Sequence, residues 1–206
     1  MSLVLTVDKL FCSPWAMSVF VALTEKGVPF TIKTLDLAAG QQHGEFADRA
    51  IIARVPALAD GAFMLTESTA IAEYLEECFP APAYQALYPQ DRHQRARVRQ
   101  VQAWIRSDLL AVRIERDTET VFLNKACAPF TAAGQAGAAR LLHVAAQLVR
   151  GPHLSGAWSI ADVDLALMLN RLIFNGDPVP QALRDYAAAQ WQRPSIRQWL
   201  ALSRPA

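Results

Sequence analysis

The chain has 206 residues, 52% of them hydrophobic, with 20 Lys and Arg against 19 Asp and Glu. Such a length and composition support a sizeable core, in one compact unit or two small lobes, and exclude a disordered chain. A net charge of +1 gives no electrostatic footprint for nucleic acid or an anionic membrane, so neither is expected as a partner.

The first element is Leu3-Val4-Leu5-Thr6-Val7, apolar enough for a buried strand, and no basic region or cleavage site precedes it. No signal peptide is expected. Charges interrupt the apolar runs well short of the roughly 20 residues that cross a bilayer, and a cytoplasmic location is the expectation. The three cysteines, Cys12, Cys78 and Cys127, are odd in number and lack paired metal spacing. Reduced thiols are expected, with no disulfide framework and no metal site.

Residues 12–23, Cys-Ser-Pro-Trp-Ala-Met-Ser-Val-Phe-Val-Ala-Leu, put a sulfur or a hydroxyl at the start of an amphipathic helix. Backbone N–H groups there have no intrahelical partner and the helix dipole is positive, so an anion such as a thiolate is favoured. Ser followed by Pro is equally an ordinary N-cap with proline in the first helical position. Val19, Phe20 and Leu23 form the apolar stripe, and Lys26-Gly27 ends the helix.

Residues 30–35 alternate with period two and predict a second strand, parallel to the first through a right-handed crossover. A polar loop, Gly40-Gln41-Gln42-His43, follows. Arg54-Val55-Pro56-Ala57-Leu58 then leads into a hairpin in which Ala57-Leu58-Ala59 and Phe63-Met64-Leu65 flank Asp60-Gly61. Glu67-Ser68 opens a helix predicted over 68–79; an acid and a hydroxyl at a helix start can receive an amine and a carboxylate. The order βαβ then ββα is thioredoxin-like.

Residues 80–89 are proline-rich and interrupt the helical periodicity. The expected division is therefore 1–80 for the α/β domain, 81–90 for a linker and 91–206 for an all-helical domain. Apolar faces at Trp104, Leu109 and Val112, at Leu141, Leu142, Ala145 and Leu148, and at Val163, Leu167, Leu169 and Leu172 predict a bundle. Ser159-Ile160-Ala161-Asp162 has the form of a capping box. Arg92, Arg99, Arg106 and Arg113 recur every seven residues along one predicted long helix, a stripe read as a solvated face or as a charged rim at a dimer cleft.

Taken in order, Ser13-Pro14-Trp15, Val55-Pro56 and Glu67-Ser68 resemble the motifs of the cytosolic glutathione S-transferases, and the resemblance covers essentially the whole chain. The tau and zeta classes carry Ser-Pro-aromatic or Ser-Ser-Cys before a helix, and Ser13-Pro14-Trp15 matches the first form. Residues 102–109 and 186–193 are similar to the bacterial YfcF-type members.

This resemblance implies an α/β plus all-α fold, a thioredoxin-like domain followed by a helical bundle. It also implies glutathione as cosubstrate, a small electrophile or hydroperoxide as second substrate, and a homodimer. Ser13 is the implied catalytic residue, a hydrogen-bond donor that lowers the glutathione thiol pKa. In the related glutaredoxin pattern the reactive residue immediately precedes the proline, the place of Ser13; Cys12 stands one position earlier. A Cys12-based thiol transferase and a non-catalytic interaction module of the same fold are the alternatives. For glutathione binding, the resemblance implies the Val55 backbone before a cis-proline for the cysteinyl part and Glu67 with Ser68 for the γ-glutamyl group. The glycyl carboxylate falls to His43, with Gln42 as its rival. Trp104, Ser107, Asp108 and Ala111 are placed by analogy on the second-substrate side.

Overall fold

A computed structural model describes residues 3–202. Two compact units divide them, one running to Leu87 and resuming at Pro194, the other spanning Tyr88–Arg193.

The first unit is built on a four-stranded sheet of order β2-β1-β3-β4. Strand β1 (Leu3–Asp8) pairs parallel with β2 (Phe30–Leu35) and antiparallel with β3 (Ala57–Asp60), which pairs antiparallel with β4 (Phe63–Thr66). Burial at five of the six positions of β1 suits a strand in the middle of the sheet. Helix α1 (Pro14–Lys26) supplies the crossover, and Gly27 closes it in the left-handed conformation (φ 65°) that a residue with a Cβ rarely adopts. A short helix α2 (Glu45–Arg49), absent from the sequence expectation, drops Phe46 and Ala50 onto Leu35 and Ala57, and Val55 packs against that cluster. Helix α3 (Ser68–Cys78) follows the hairpin and packs on α1.

The second unit holds α4 (Arg92–Ser107), α5 (Leu110–Glu115), α6 (Thr118–Phe122), α7 (Ala132–Leu148), α8 (Ile160–Asn175) and α9 (Gln181–Trp191). Helix α8 is its axis, because every residue from Ile160 to Leu172 is buried. Its two aspartates are paired. Asp162 accepts from the Ser159 N–H (2.8 Å), the Leu154 N–H (2.9 Å) and the Tyr186 hydroxyl (2.8 Å), which completes the capping box read from the sequence. Asp164 accepts from Gln102 Nε2 and Arg106 Nη1, both at 2.9 Å.

Two features depart from the sequence reading. The single long helix breaks at Asp108 and Leu109, where Leu109 takes φ 54°, so Arg113 lies on α5 and not on α4. The arginine stripe accordingly divides: Arg92 and Arg99 are exposed, as a solvated face requires, whereas Arg106 and Arg113 are partly buried. Arg99 lies over the Tyr88 ring, Arg106 pairs with Asp164, and Arg113 Nη1 donates to the carbonyls of Ile105 and Asp108, closing the end of α4. The second departure is α10 (Pro194–Leu200), which packs on α1 and joins the first unit. Trp199, fully buried, meets Phe11 edge-on at 5.6 Å and Phe20 at 5.4 Å, and Ser195 Oγ donates to Glu25 Oε1 at 2.5 Å.

Candidate functional site

Ser13 caps α1. Its Oγ accepts the Ala16 N–H at 3.2 Å, its carbonyl accepts the Met17 N–H at 3.0 Å, and Pro14 occupies the first helical position without an N–H to satisfy. An oxygen that already accepts from a helical N–H keeps its own proton for a further acceptor. Half-buried Ser13 thus presents a hydroxyl donor at the positive end of α1.

The loop before it turns sharply. Phe11 N–H donates to the Asp8 carbonyl (3.1 Å) with Phe11 at φ 51°, and the Asp8 carboxylate accepts from the N–H groups of both Cys12 (2.8 Å) and Ser13 (2.9 Å). Sequence reading missed Asp8, whose only signal is an acid ending an otherwise apolar strand. Cys12 is buried, and its thiol donates to the Leu10 carbonyl at 3.4 Å.

An open cleft of about 400 Å³ is lined by Ser13, Leu37, Gln42, His43, Ala53, Arg54 and Val55. Three of the residues singled out in the sequence, Ser13, His43 and Val55, therefore converge on one cavity, and both rivals for the glycyl end are in its wall. The segment bearing them is wound onto the end of β2. Asp36 pairs with Lys9, which holds its carboxyl below the ordinary carboxylate range, and accepts the Ala39 N–H at 3.1 Å. Gln41 Oε1 accepts the Asp36 N–H at 2.8 Å, and the His43 N–H reaches the Gly40 carbonyl at 3.0 Å. The Gln42 side-chain amide oxygen, Oε1, is buried and has no hydrogen-bond partner, an unmet acceptor beside the cavity.

The Val55–Pro56 peptide bond is cis, in keeping with the sequence expectation; so is Ala81–Pro82, which nothing in the sequence singled out. Glu67 and Ser68 are not in the lining of the cleft. They open α3, with Ser68 buried and Glu67 exposed at φ 70°, ψ 111°, a backbone conformation that a residue with a Cβ adopts only under strain. Trp104 donates to Asp108 Oδ2 at 3.2 Å at the end of α4. Among the described residues no cluster of His, Cys, Asp and Glu forms a metal site, and no helix is long and apolar enough to cross a membrane.

The family profile for the glutathione S-transferase N-terminal domain matches residues 4–77, and that for the glutathione S-transferase C-terminal domain matches residues 91–205. Human glutathione S-transferase theta-1 is 34% identical over 164 residues, 72% of this chain and 66% of that protein. Mouse glutathione S-transferase theta-3 is 42% identical over 88 residues, 42% of this chain and 36% of its own length. These alignments thus span less than two thirds of the theta-class relatives. Among solved structures, a glutathione transferase homologue from Burkholderia with bound glutathione is 42% identical, with a TM-score of 0.79 over 97% of this chain and 96% of that one. A glutathione S-transferase from Rhodospirillum rubrum is 27% identical, with a TM-score of 0.75 over 99% and 96%.

Proposed function

The chain belongs to the glutathione S-transferase family, and from that premise we propose that it is a glutathione transferase whose Ser13 hydroxyl holds the glutathione sulfur as the thiolate. The observation that carries this reading is the Ser13 hydroxyl itself, which accepts from the Ala16 N–H, keeps its proton to donate, and lines the cleft at the start of α1. A hydrogen bond to a charged acceptor contributes about 1.5–3 kcal/mol, and one pKa unit is about 1.4 kcal/mol. Ser13 therefore accounts for roughly one to two units of thiol acidification, and the helix terminus adds a smaller share.

Glutathione lies with its cysteinyl part along the Val55 backbone, its γ-glutamyl amine and carboxylate at Glu67 and Ser68, and its glycyl carboxylate at His43 or Gln42. The strained Glu67 backbone supports its part, since strain of this kind concentrates where a side chain has a task. With an electrophile, the thiolate sulfur forms the new carbon–sulfur bond as the leaving group departs with its bonding electron pair, or, in an addition, as the π bond breaks and a proton is taken up from water. With an organic hydroperoxide it takes one oxygen as the O–O bond breaks and the alcohol leaves. A second glutathione then converts the sulfenic acid to glutathione disulfide and water. Similarity of residues 102–109 and 186–193 to YfcF-type members supports hydroperoxide reduction among the activities. The protein works as a cytoplasmic homodimer in this reading.

Cys12 is the rival. It is buried, its thiol donates to the Leu10 carbonyl and its N–H to the Asp8 carboxylate, while Ser13 and not Cys12 lines the cleft. The test compares wild type, Ser13→Ala and Cys12→Ala in glutathione affinity and glutathione-dependent reduction of cumene hydroperoxide. Ser13→Ala is expected to bind glutathione within about two-fold and to lose roughly ten-fold or more of turnover, with Cys12→Ala near wild type. Unchanged turnover in Ser13→Ala sinks the role. Loss confined to Cys12→Ala, with a glutathione adduct on that residue by mass spectrometry, moves the protein to the thiol transferases. Failure of the wild type to bind glutathione points to the interaction module.

A further inference from the structure

We infer, on the reading that Ser13 is the thiol-activating hydroxyl, that Asp8 is its positioning residue, fixing the Ser13 loop through two backbone N–H groups without touching substrate. Asp8 ends β1, and only 7% of its surface is exposed. Its two carboxylate oxygens divide the work: Oδ2 accepts the Cys12 N–H at 2.8 Å and Oδ1 the Ser13 N–H at 2.9 Å. The residue's own carbonyl accepts the Phe11 N–H, and the next N–H, that of Lys9, continues the sheet to the Leu35 carbonyl at 2.9 Å. One residue thereby joins the end of the sheet to the start of α1.

Ser13 is consequently held at three atoms: its N–H by Asp8, its Oγ by the Ala16 N–H, and its carbonyl by the Met17 N–H. What remains free is rotation of the hydroxyl proton, the motion needed to meet a sulfur. The chemistry of the residue at position 8 is restrictive. Both partners are donors, and a carboxylate offers one acceptor oxygen to each; an amide in the same pose would turn its NH₂ toward one of them. Asp8 is not in the lining of the cleft, so its two hydrogen bonds to the loop are the route by which it bears on Ser13.

The test uses four proteins, wild type, Asp8→Asn, Ser13→Ala and the double variant, with three readouts. These are glutathione affinity, the ultraviolet thiolate absorbance of bound glutathione, and kcat for cumene hydroperoxide. Asp8→Asn is expected to bind glutathione within about two-fold, to lose thiolate absorbance, and to lower kcat by roughly ten-fold, the scale of a charge-assisted hydrogen bond. The double variant is expected to match Ser13→Ala, because a residue acting through Ser13 has nothing to act through once the hydroxyl is gone. A loss of folded protein would multiply the two effects instead, and that outcome overturns the inference. So does wild-type kcat in Asp8→Asn while Ser13→Ala is impaired, a result that leaves the Ser13 reading standing. Full thiolate absorbance in Ser13→Ala removes the Ser13 reading and this one with it. Should Asp8→Asn fail to fold, amide hydrogen exchange on the wild type decides: slow exchange at both Cys12 and Ser13 is expected, and exchange as fast as in an open loop overturns the assignment.

Discussion

Lys26 Nζ stands 2.6 Å from Glu76 Oε2, with the lysine side chain wholly out of solvent, so the end of α1 is tied to α3 by a buried ion pair. The ammonium also donates to the Phe79 carbonyl at 2.6 Å, and the same glutamate oxygen accepts the Leu87 N–H at 3.0 Å. Removing one member strands the other. Lys26→Met is expected to destabilise the protein by about 3–5 kcal/mol, while Lys26→Met with Glu76→Leu costs clearly less, since no unpaired charge is left inside. Urea unfolding of the three proteins checks this; equal losses in the single and double variants would contradict it.

Trp199 is the counterpart of that tie on α10. Its ring is fully buried against Phe11 and Phe20, and Phe11 belongs to the loop that carries Ser13. Trp199→Ala is expected to cost about 3–5 kcal/mol and to lower glutathione turnover in the fraction that stays folded. Thermal unfolding and kcat measured on the same preparation check both parts.

In the helical unit, Arg116 grips Asp177 with two prongs, Nε to Oδ2 at 2.6 Å and Nη2 to Oδ1 at 2.9 Å, while its guanidinium lies 3.6 Å from the Phe130 ring centre. The arginine's hydrogen bond holds the Asp177 carboxyl below its ordinary value of 3.8. The stabilisation is therefore complete above that value and disappears as pH falls through the lower folded-state value. Asp177→Asn is expected to be less stable at neutral pH and to show a shallower loss on acidification. Arg116→Lys keeps the charge, loses the fork and costs about 1–3 kcal/mol. Unfolding free energies between neutral and acid pH separate these cases; parallel acid limbs in wild type and Asp177→Asn would refute the assignment.

At the alkaline end, two phenols stay protonated beyond the ordinary value of 10.0. Tyr74 does so chiefly through its hydrogen bond to Asp60, and Tyr186 chiefly through burial, then through the charge of Asp162. For a phenol whose folded value is raised, stability is fully present below the ordinary value and is lost as pH rises through the folded one. Phenolate absorbance on a rising pH series is expected to lag that of the denatured chain. Asp60→Asn brings the Tyr74 step down, and Tyr186→Phe deletes the other.

How much of this was legible in the sequence depends on whether the signal was local. Gly27, Asp60-Gly61, Val55-Pro56, Ser13 and the Ser159–Asp162 box each act within a few residues of themselves, and each appears where the sequence put it. Asp8, Lys26 with Glu76, and Arg116 with Asp177 act on partners whose proximity exists only after folding, and nothing in their neighbourhoods announces them. The arginine stripe shows the opposite error. A seven-residue repeat is meaningful only while the helix continues, and the turn at Leu109 redirects Arg113 to cap the helix it was assigned to.

The edge-on pair of Phe11 and Trp199 also bears on how the protein is made. Ser13 precedes α10 by about 180 residues in the chain, so a nascent chain that has emerged only as far as Arg193 carries the site loop without its brace. Long-range closures of this kind come late in folding. A chain halted at Arg193 is expected to bind glutathione more weakly than one that runs through Leu200, which titration of the two with glutathione checks.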